Sequence, residues 1–338
     1  MKILVIRLSS IGDIVLTSPV VRCLVEQKGA NVHYLTKSAF SAIPAANPMV
    51  QKVFALGNSI QTNEKVVISE SLSALLELLR AERYDYIIDL HHNLRSLRVK
   101  WALRKPSFSF DKLNFKKWVL VNFGKNILPN RHIVHRYMDT VSALGVYYDG
   151  KGLDFHLPTN LDESKINAFT NSWCNQSFVA FVLGATHATK RLPIAKVIEI
   201  CKEISIPIVL IGGTDEKTTG DIIVHALRTQ IYNACGQFSL FESALLVQRA
   251  QVVITHDTGM MHIAAAFRKQ IVSIWGSTVP AFGMYPFYPD GIDLNTTVEV
   301  EGLSCRPCSK IGFAACPKGH FACMNLVETS RVLSKIDQ

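Results

Sequence analysis

The sequence predicts an α/β protein with two domains, each built on a doubly wound parallel sheet. Two observations lead to this prediction. Apolar runs of strand length alternate with helical patterns in both halves of the chain, and the alternation is interrupted between about residues 148 and 176. A chain of 338 residues accommodates two domains of ordinary size. Because 48% of the residues are hydrophobic and 19% are charged, each half has enough apolar material for a core.

The first half begins with a strand, a loop and a helix. Lys2–Leu8 is an apolar run of strand length, and the loop Ser9–Asp13 leads into a helical pattern that includes Pro19. The single glycine of this loop is too few for the dinucleotide fingerprint, and no Gly-Lys-Ser/Thr of a P-loop follows. Asp13 stands where a strand opens to a ligand crevice, which is also where a helix N-terminal acid belongs. Further strands are expected at residues 31–36, 52–56 and 84–90, with a helix at 72–82.

A basic and aromatic segment extends from residue 95 to residue 118, after a polar His91-His92-Asn93 loop. It contains eight cations against one acid, Asp111: Arg95, Arg98, Lys100, Arg104, Lys105, Lys112, Lys116 and Lys117. Five aromatic residues are interleaved with them: Trp101, Phe108, Phe110, Phe115 and Trp118. Such a segment suits an anionic partner, namely a nucleic acid, a phosphorylated ligand or an anionic membrane. The alternative is a set of solvated helix faces beside a few core aromatic residues.

The expected domain boundaries follow the loss of periodicity. Residues 1–158 form the first domain, residues 159–176 the linker, residues 177–325 the second domain and residues 326–338 a C-terminal helix. In the second domain, strands are expected at 178–183, 206–211, near 231 and at 271–275, with helices starting near 193, ending near 228 and spanning 239–250.

Two loops of the second half follow the carboxyl ends of predicted strands, and we expect them to converge with a third. Residues 184–191 supply hydroxyls, a histidine and two adjacent cations, and residues 212–216 supply two acids suited to a ribose hydroxyl. The charged and titratable residues of these loops are His187, Lys190, Arg191, Asp215 and Glu216.

The third loop lies within residues 252–267, VVITHDTGMMHIAAAF. This stretch predicts a strand, a tight turn and a helix whose first N–H groups favour an anion. A diphosphate needs cations and N–H donors together, so the three loops predict a nucleotide-diphosphate site. The alternative is an ordinary turn before a helix capped by Asp257 or Thr258.

Eight cysteines are distributed in two ways. Four of them are isolated within apolar surroundings and are expected in the core: Cys23, Cys174, Cys201 and Cys235. The other four, Cys305, Cys308, Cys316 and Cys323, cluster near the C-terminus. Their spacing leaves three states open: reduced thiols that pack a loop, a disulfide, or a structural zinc site to which His320 contributes.

Several segments together resemble one family, the ADP-heptose:lipopolysaccharide heptosyltransferases of glycosyltransferase family 9. The segments are MKILVIRLSSIGDIVLTSPVV, GATHATKRLP, GQFSL, THDTGMMHIAAAF and the C-terminal CRPCSKIGFAACPKGHFACM. They cover both halves of the chain in the order of the family.

The resemblance implies a GT-B fold, in which two facing Rossmann-like domains border a deep cleft and no metal ion is required. It implies that the C-terminal helix crosses back onto the first domain. It further implies an inverting sugar transfer with Asp13 as the general base. The implied donor-binding residues are Thr186, Thr189, Lys190, Glu216, Asp257, Thr258, Gly259 and His262.

The implied substrates are ADP-heptose and an anionic inner-core glycolipid, which the basic segment 95–118 suits. We expect a monomer in the cytoplasm, peripheral to the inner face of the inner membrane. No apolar stretch approaches the roughly 20 residues of a membrane span, and the run after Lys2 is too short for a signal peptide. The alternatives are a glycosyltransferase of this fold that uses another nucleotide sugar, and a nucleic-acid-binding protein, for which no recognition motif is visible.

Overall fold

Two six-stranded sheets, in which every strand pair is parallel, organise the structure. The structure is a computed structural model that describes residues 1–59, 63–171, 177–227 and 230–336. The chain divides into two units, of which the first comprises Met1–Lys112 and Arg131–His156 and the second Leu113–Asn130 and Leu157–Gln338. The predicted α/β class with one parallel sheet in each half is confirmed.

The first sheet has the strand order β4-β3-β2-β1-β5-β6. Its strands are β1 Lys2–Ile6, β2 Asn31–Lys37, β3 Val50–Leu56, β4 Val66–Ser69, β5 Tyr86–Asp89 and β6 Ser107–Ser109. The associated helices are α1 Ile11–Val15, α2 Ser18–Lys28, α3 Ala42–Ala46, α4 Leu72–Ala81, α5 Leu94–Leu103 and, later in the chain, α7 Ile133–Ser142. The interior strand β1 is an unbroken apolar run because both of its faces are covered, and its residues 3–6 are fully buried.

The second sheet has the strand order β12-β11-β10-β7-β8-β9. Its strands are β7 Val179–Val182, β8 Ile208–Ile211, β9 Ile231–Asn233, β10 Val252–His256, β11 Gln270–Trp275 and β12 Asn295–Glu299. The helices of this unit are α6 Asn114–Phe123, α8 Ser164–Thr170, α9 Ile194–Lys202, α10 Lys217–Leu227, α11 Leu240–Arg249, α12 Gly259–Ala266, α13 Ala322–Asn325 and α14 Thr329–Leu333. Four short 3₁₀ segments complete the two units: Ser38–Phe40, Ala188–Lys190, Thr214–Glu216 and Pro280–Phe282.

Local sequence explains the ends of these helices. The hydroxyl of Ser71 accepts a hydrogen bond from the N–H of Ala74 and caps α4, whose Leu75 and Leu79 lie one turn apart and are fully buried. The helical pattern after Asp13 is two helices, and Pro19 lies in the first turn of the second, where its missing N–H costs nothing.

The C-terminal residues differ from the expected helix at 326–338. They contain one short helix, α14, which lies in the second unit, and residues 337–338 lie outside the described residues. The physical reason is apolar burial, because Val332 and Ile336 join the core cluster of that unit and are 0% and 5% exposed. No described helix has the length and apolar character needed to cross a membrane.

The other boundaries also differ in detail. Residues 113–130, expected in the first domain, belong to the second unit, where the Lys117 ammonium lies 5.7 Å from the ring centroid of Phe282. The expected linker 159–176 contains α8, and its residues 172–176, which include Cys174, lie outside the described residues. Ile166 of α8 is fully buried, so this helix is part of a packed unit.

The first unit contains a buried ion-pair network that is expected to stabilise it. Arg22 donates to Asp149 over 2.7 and 2.9 Å and to the carbonyl of Gly152 over 2.8 Å, and it also pairs with Asp154. Burial alone would raise the pKa of Asp149, but the hydrogen bonds and charge of Arg22 hold this pKa below its usual value. Arg131 and Asp139 form an exposed pair of similar geometry.

We predict that Arg22→Met lowers the free energy of unfolding at pH 7 by about 2 kcal/mol, because it leaves two half-buried carboxylates without the guanidinium that pairs with them. Arg131→Met is the matched control and should change it by less than about 0.5 kcal/mol. The difference between wild type and Arg22→Met should shrink as the pH falls below about 3.9, because protonation of Asp149 then removes the charge whose lowered pKa reflects its pairing with Arg22. Urea titration at several pH values measures all three quantities, and equal effects of the two variants would contradict the prediction.

Candidate active site

Asp13 lies in the first turn of α1, just beyond β1, which is an interior strand of the first sheet. Its Oδ1 is 2.5 Å from Nη2 of Arg7. Its Oδ2 accepts hydrogen bonds from the backbone N–H of Ser10 over 3.1 Å and from the Ser10 hydroxyl over 3.0 Å. Both carboxylate oxygens therefore have defined partners, which orient the group.

Arg7 is itself fixed by three further hydrogen bonds. Its Nε donates to the carbonyl of Ser9 over 2.8 Å, and its Nη1 donates to the carbonyl of Leu90 over 2.6 Å and to the Tyr137 hydroxyl over 2.9 Å. Arg7 is only 8% exposed. The rigid guanidinium thus connects the ends of β1 and β5 with α7 and presents one remaining edge to Asp13.

The surroundings keep Asp13 ionised. Desolvation by burial would raise its pKa, but the charge of Arg7 and the hydrogen bonds from Ser10 outweigh this effect and lower the pKa below its usual value. The group is a carboxylate at neutral pH and has the protonation state that a general base requires. Arg7 was not among the predicted site residues, although it is the charge that ends the apolar run of β1.

The predicted loop His91-His92-Asn93 follows β5 after Leu90, and two of its residues have structural roles. Asn93 caps α5 by accepting a hydrogen bond from the N–H of Ser96, and Nδ1 of His92 lies 2.9 Å from the carbonyl oxygen of Phe110. Burial, together with the charges of Arg7 and Lys112, lowers the pKa of His91 to about 4, so its imidazole is neutral. Nδ1 of His91 is buried and has no hydrogen-bond partner among the described residues.

The three predicted loops of the second unit do converge. Strands β10, β7 and β8 are neighbours, so the loops that follow them leave the same edge of the sheet. Nζ of Lys190 is 2.6 Å from Oδ2 of Asp257, which joins the first loop to the third. Nη1 of Arg191 is 3.1 Å from Oε1 of Glu216, which joins the first loop to the second.

A fourth loop, after β11, also reaches this edge. The Thr278 hydroxyl donates a 2.8 Å hydrogen bond to Oδ2 of Asp257, the same oxygen that binds Lys190. The Ser277 hydroxyl donates over 2.9 Å to the hydroxyl oxygen of Thr189. Sequence reasoning did not single out Ser277 and Thr278, although they too follow the carboxyl end of a predicted strand.

The turn before α12 has the predicted form. Thr258 occupies the N-cap position, Gly259 begins the helix and His262 is buried in its first turns. Of the two residues expected to cap the helix, Thr258 makes no side-chain capping bond, and Asp257 is engaged by Lys190 and Thr278. The first N–H groups of α12 therefore remain able to receive an anionic group.

The structure separates the two threonines predicted to contact a donor. Thr186 is exposed, whereas Thr189 is 2% exposed. The Thr189 hydroxyl accepts hydrogen bonds from Ser277 and from the N–H of Phe313, the latter over 2.8 Å. The Thr189 hydroxyl is therefore buried and already bonded, and its bonds link this loop to the loop after β11, which favours a structural role for the residue.

The two acids of the second loop are separated in the same way. Glu216 is 7% exposed and accepts from the N–H of Gly213 over 2.9 Å, in addition to its pair with Arg191. A side chain at Gly184 would meet Oε2 of Glu216 at 3.1 Å, so the glycine permits this close packing. Asp215 is exposed, which makes it the more accessible of the two carboxylates for a ribose hydroxyl.

The cysteine-containing tail packs against the same edge. The carbonyl oxygen of Thr189 and the N–H of Ser277 are joined by a hydrogen bond, and the N–H of Cys308 donates over 3.0 Å to the carbonyl of Ser277. The seven described cysteines are free thiols. Sγ of Cys305 is 3.8 Å from Nε2 of His320, but among the described residues no three His, Cys, Asp or Glu side chains are grouped to hold a metal ion.

Comparison with known proteins identifies the family of this fold and site. The sequence profile of glycosyltransferase family 9 (heptosyltransferase) matches residues 72–311. The chain belongs to this family. Membership makes it a glycosyltransferase, as the resemblance implied.

Individual relatives of the family 9 chain are similar along most of its length. It is 27% identical over 295 residues to lipopolysaccharide heptosyltransferase 1 of Campylobacter coli, covering 82% of this chain and 84% of the relative. The crystal structure of a family 9 glycosyltransferase from Veillonella parvula superposes with a TM-score of 0.74 at 20% identity, covering 99% and 96% of the two chains. The structure of the E. coli ADP-heptose lps heptosyltransferase II superposes with a TM-score of 0.66 at 20% identity, with 99% of each chain covered. These structures establish the GT-B fold.

The hydrogen bonds of Thr189 give a test of its place in this family 9 chain. We predict that Thr189→Val lowers the free energy of unfolding by about 2 kcal/mol, because the buried hydroxyl of Ser277 and the partly buried N–H of Phe313 lose their acceptor. Thr186→Val, at an exposed position of the same loop, is the matched control and should change it by less than about 0.5 kcal/mol. Denaturant titration of both variants measures the difference. A destabilised Thr186→Val beside an unaffected Thr189→Val would reverse the assignment.

Proposed function

We propose that this glycosyltransferase moves heptose from ADP-heptose to an anionic inner-core acceptor of lipopolysaccharide, as a monomer and with inversion at the anomeric carbon. Family membership and the names of its relatives support the sugar and the acceptor. The observation that carries the proposal is the Lys190–Asp257 pair, which fixes a cation at the carboxyl edge of the second sheet beside the start of α12.

The second unit provides the donor site in this proposal. A leaving ADP accumulates negative charge on its diphosphate, and Lys190 together with the first N–H groups of α12 offsets that charge. In the structure the Lys190 ammonium is bound to Asp257, so a diphosphate would take the place of one carboxylate contact. Asp215 is the exposed acid for the ribose, and Thr186 and Thr258 are the hydroxyls available to the phosphates. The reaction then needs no metal ion.

The first unit provides the base. Asp13 accepts the proton of the attacking acceptor hydroxyl, whose oxygen forms a bond to the anomeric carbon of the heptose as the bond to ADP breaks. ADP leaves with the bonding electron pair. The hydrogen bonds from Ser10 and the charge of Arg7 keep the carboxylate ionised before the reaction. The neutral imidazole of His91, which lies within the electrostatic influence of Arg7 and Asp13, is the neighbouring polar group that we propose for a sugar hydroxyl.

The donor sugar is tested by comparing ADP-heptose with other nucleotide sugars on a truncated core acceptor. Turnover with ADP-heptose and linkage analysis of the product would support the proposal. Turnover only with another nucleotide sugar would favour the alternative, a glycosyltransferase of the same fold with a different donor. The two outcomes are distinct because the diphosphate contacts are common to both donors, whereas only the sugar contacts act on the transferred group.

Two variants should separate donor binding from chemistry. We predict that Asp13→Asn lowers kcat at least a thousandfold and leaves the Kd for ADP within about twofold, because the base contacts only the acceptor. Lys190→Gln should weaken ADP binding about tenfold or more, because the diphosphate loses a charge-assisted partner. Calorimetry with ADP and single-turnover transfer measure the two quantities. Residual turnover of Asp13→Asn near the wild-type rate would remove this residue from the base role.

Arg7 should control the pH range of the reaction. In wild type the pKa of Asp13 is lowered, so activity is retained as the pH falls until this low pKa is reached. Arg7→Gln removes the compensating charge, leaves burial to raise the pKa of Asp13, and should move the acid limb of kcat to higher pH. Arg7→Lys should restore part of the shift. An acid limb at the same pH in all three proteins would contradict the role of Arg7.

A further inference from the structure

The outward face of α5 has a composition that the proposed reaction does not explain. Leu94 and Trp101 are 79% and 72% exposed. They are seven residues apart, or about two helical turns, and therefore lie on the same side of the helix. Large apolar side chains at such exposure, one after the other along a helix, indicate a surface that contacts another apolar phase.

The inner face of α5 is already fully used. Ser96 and Val99 are buried, and Ser96 donates to Oδ2 of Asp89 over 2.8 Å. The ammonium of Lys100 lies 3.1 Å from the same oxygen and donates to the Ser109 hydroxyl over 2.7 Å. The inner side of the helix is thus fixed to the sheet. The Lys100 ammonium is bound by Asp89 and Ser109, so it is not among the cations that the outer face presents.

The outer face is framed by cations without acids. Residues 94–105 contain no aspartate or glutamate. Four basic residues of this stretch are exposed: Arg95, Arg98, Arg104 and Lys105. Beside Trp101 there is an open cavity of about 590 Å³, lined by Leu97, Lys100, Trp101, Arg104, Lys105 and Ser107. An indole ring, an aliphatic residue and several cations are therefore presented together.

We infer that this face of α5 docks the enzyme on an anionic bilayer surface, with Leu94 and Trp101 at the boundary of headgroups and acyl chains. The inference rests on the proposed function, because a lipid-linked acceptor would be reached from that surface. Arg98, Arg104 and Lys105 would meet lipid phosphates, to which their charge is complementary. The aliphatic Leu94 decides against nucleic acid as the occupant, since it adds nothing to the recognition of bases or phosphates.

A second exposed aromatic cluster, on α6, provides the matched control. Phe115 and Trp118 have ring centroids 6.1 Å apart, and Trp118 and Phe123 have theirs 5.3 Å apart. These rings contact one another, with Phe115 71%, Trp118 46% and Phe123 69% exposed, whereas Leu94 and Trp101 are separated along their helix. Trp118→Gln therefore removes an exposed indole in a basic environment without touching α5.

The experiment is co-sedimentation of the full-length protein with vesicles of phosphatidylglycerol and phosphatidylethanolamine, and with vesicles of phosphatidylcholine alone. We expect binding to the anionic vesicles that weakens with salt. Trp101→Gln should weaken it roughly tenfold, and Arg104→Gln with Lys105→Gln roughly fivefold for each charge removed. Trp118→Gln should bind as wild type does. Thermal unfolding should be unchanged in all variants, because the substituted side chains are exposed.

Unchanged binding of Trp101→Gln and of the charge variants would overturn the inference, as would wild-type binding that depends on Trp118 or is equal for phosphatidylcholine. Retention of a single-stranded oligonucleotide that depends on Trp101 and Arg104 would also overturn it in favour of nucleic acid. Transfer from ADP-heptose to a lipid-free acceptor is measured in parallel. Absence of transfer with intact, Trp101-dependent vesicle binding would reject the proposed function and leave the docking surface standing.

Discussion

Parallel strand pairing determines where the polar residues of this chain meet. Because β8, β7, β10 and β11 are consecutive in the second sheet, the loops after them leave one edge. Lys190 and Asp257 are 67 residues apart in sequence, yet their side chains form a 2.6 Å ion pair at this edge. In the first sheet the pairing of β1 with β5 likewise lets Arg7 reach the carbonyl of Leu90. Both halves of the proposed chemistry therefore depend on strand order.

The sequence predicts the buried strands well and the edge strands poorly, for a physical reason. Interior strands such as β1, β7 and β10 are covered on both faces and appear as apolar runs. β4 and β6 are short and partly exposed, so their composition carries no such signal. The convergence of the donor loops was predictable because it follows from strand order. The role of Arg7 was not, because its partner Tyr137 lies 130 residues away.

For Asp13 a structural role and the proposed functional role are compatible, whereas the contacts of Thr189 favour a structural role. Asp13 does accept hydrogen bonds from Ser10 at the start of α1, as a helix N-terminal acid would, and the same bonds keep it ionised, as the proposed proton transfer requires. The Thr189 hydroxyl, in contrast, is consumed by its bonds to Ser277 and Phe313. Sequence spacing places both residues near the edge of a sheet. Only burial and bonding decide whether the polar group is still available to a substrate.

The C-terminal tail stabilises the carboxyl edge of the second sheet through the contacts of Arg306 and not through its thiols. The Arg306 guanidinium donates to the carbonyls of Trp275, Gly276 and Thr278, which form the loop that carries the Thr278–Asp257 hydrogen bond. It also pairs with Glu299 over 2.8 Å. Because Arg306 binds backbone carbonyls at these three positions, the contacts do not depend on which side chains stand there. Arg306 thereby holds the backbone of the loop whose Thr278 hydroxyl binds Asp257, the partner of Lys190.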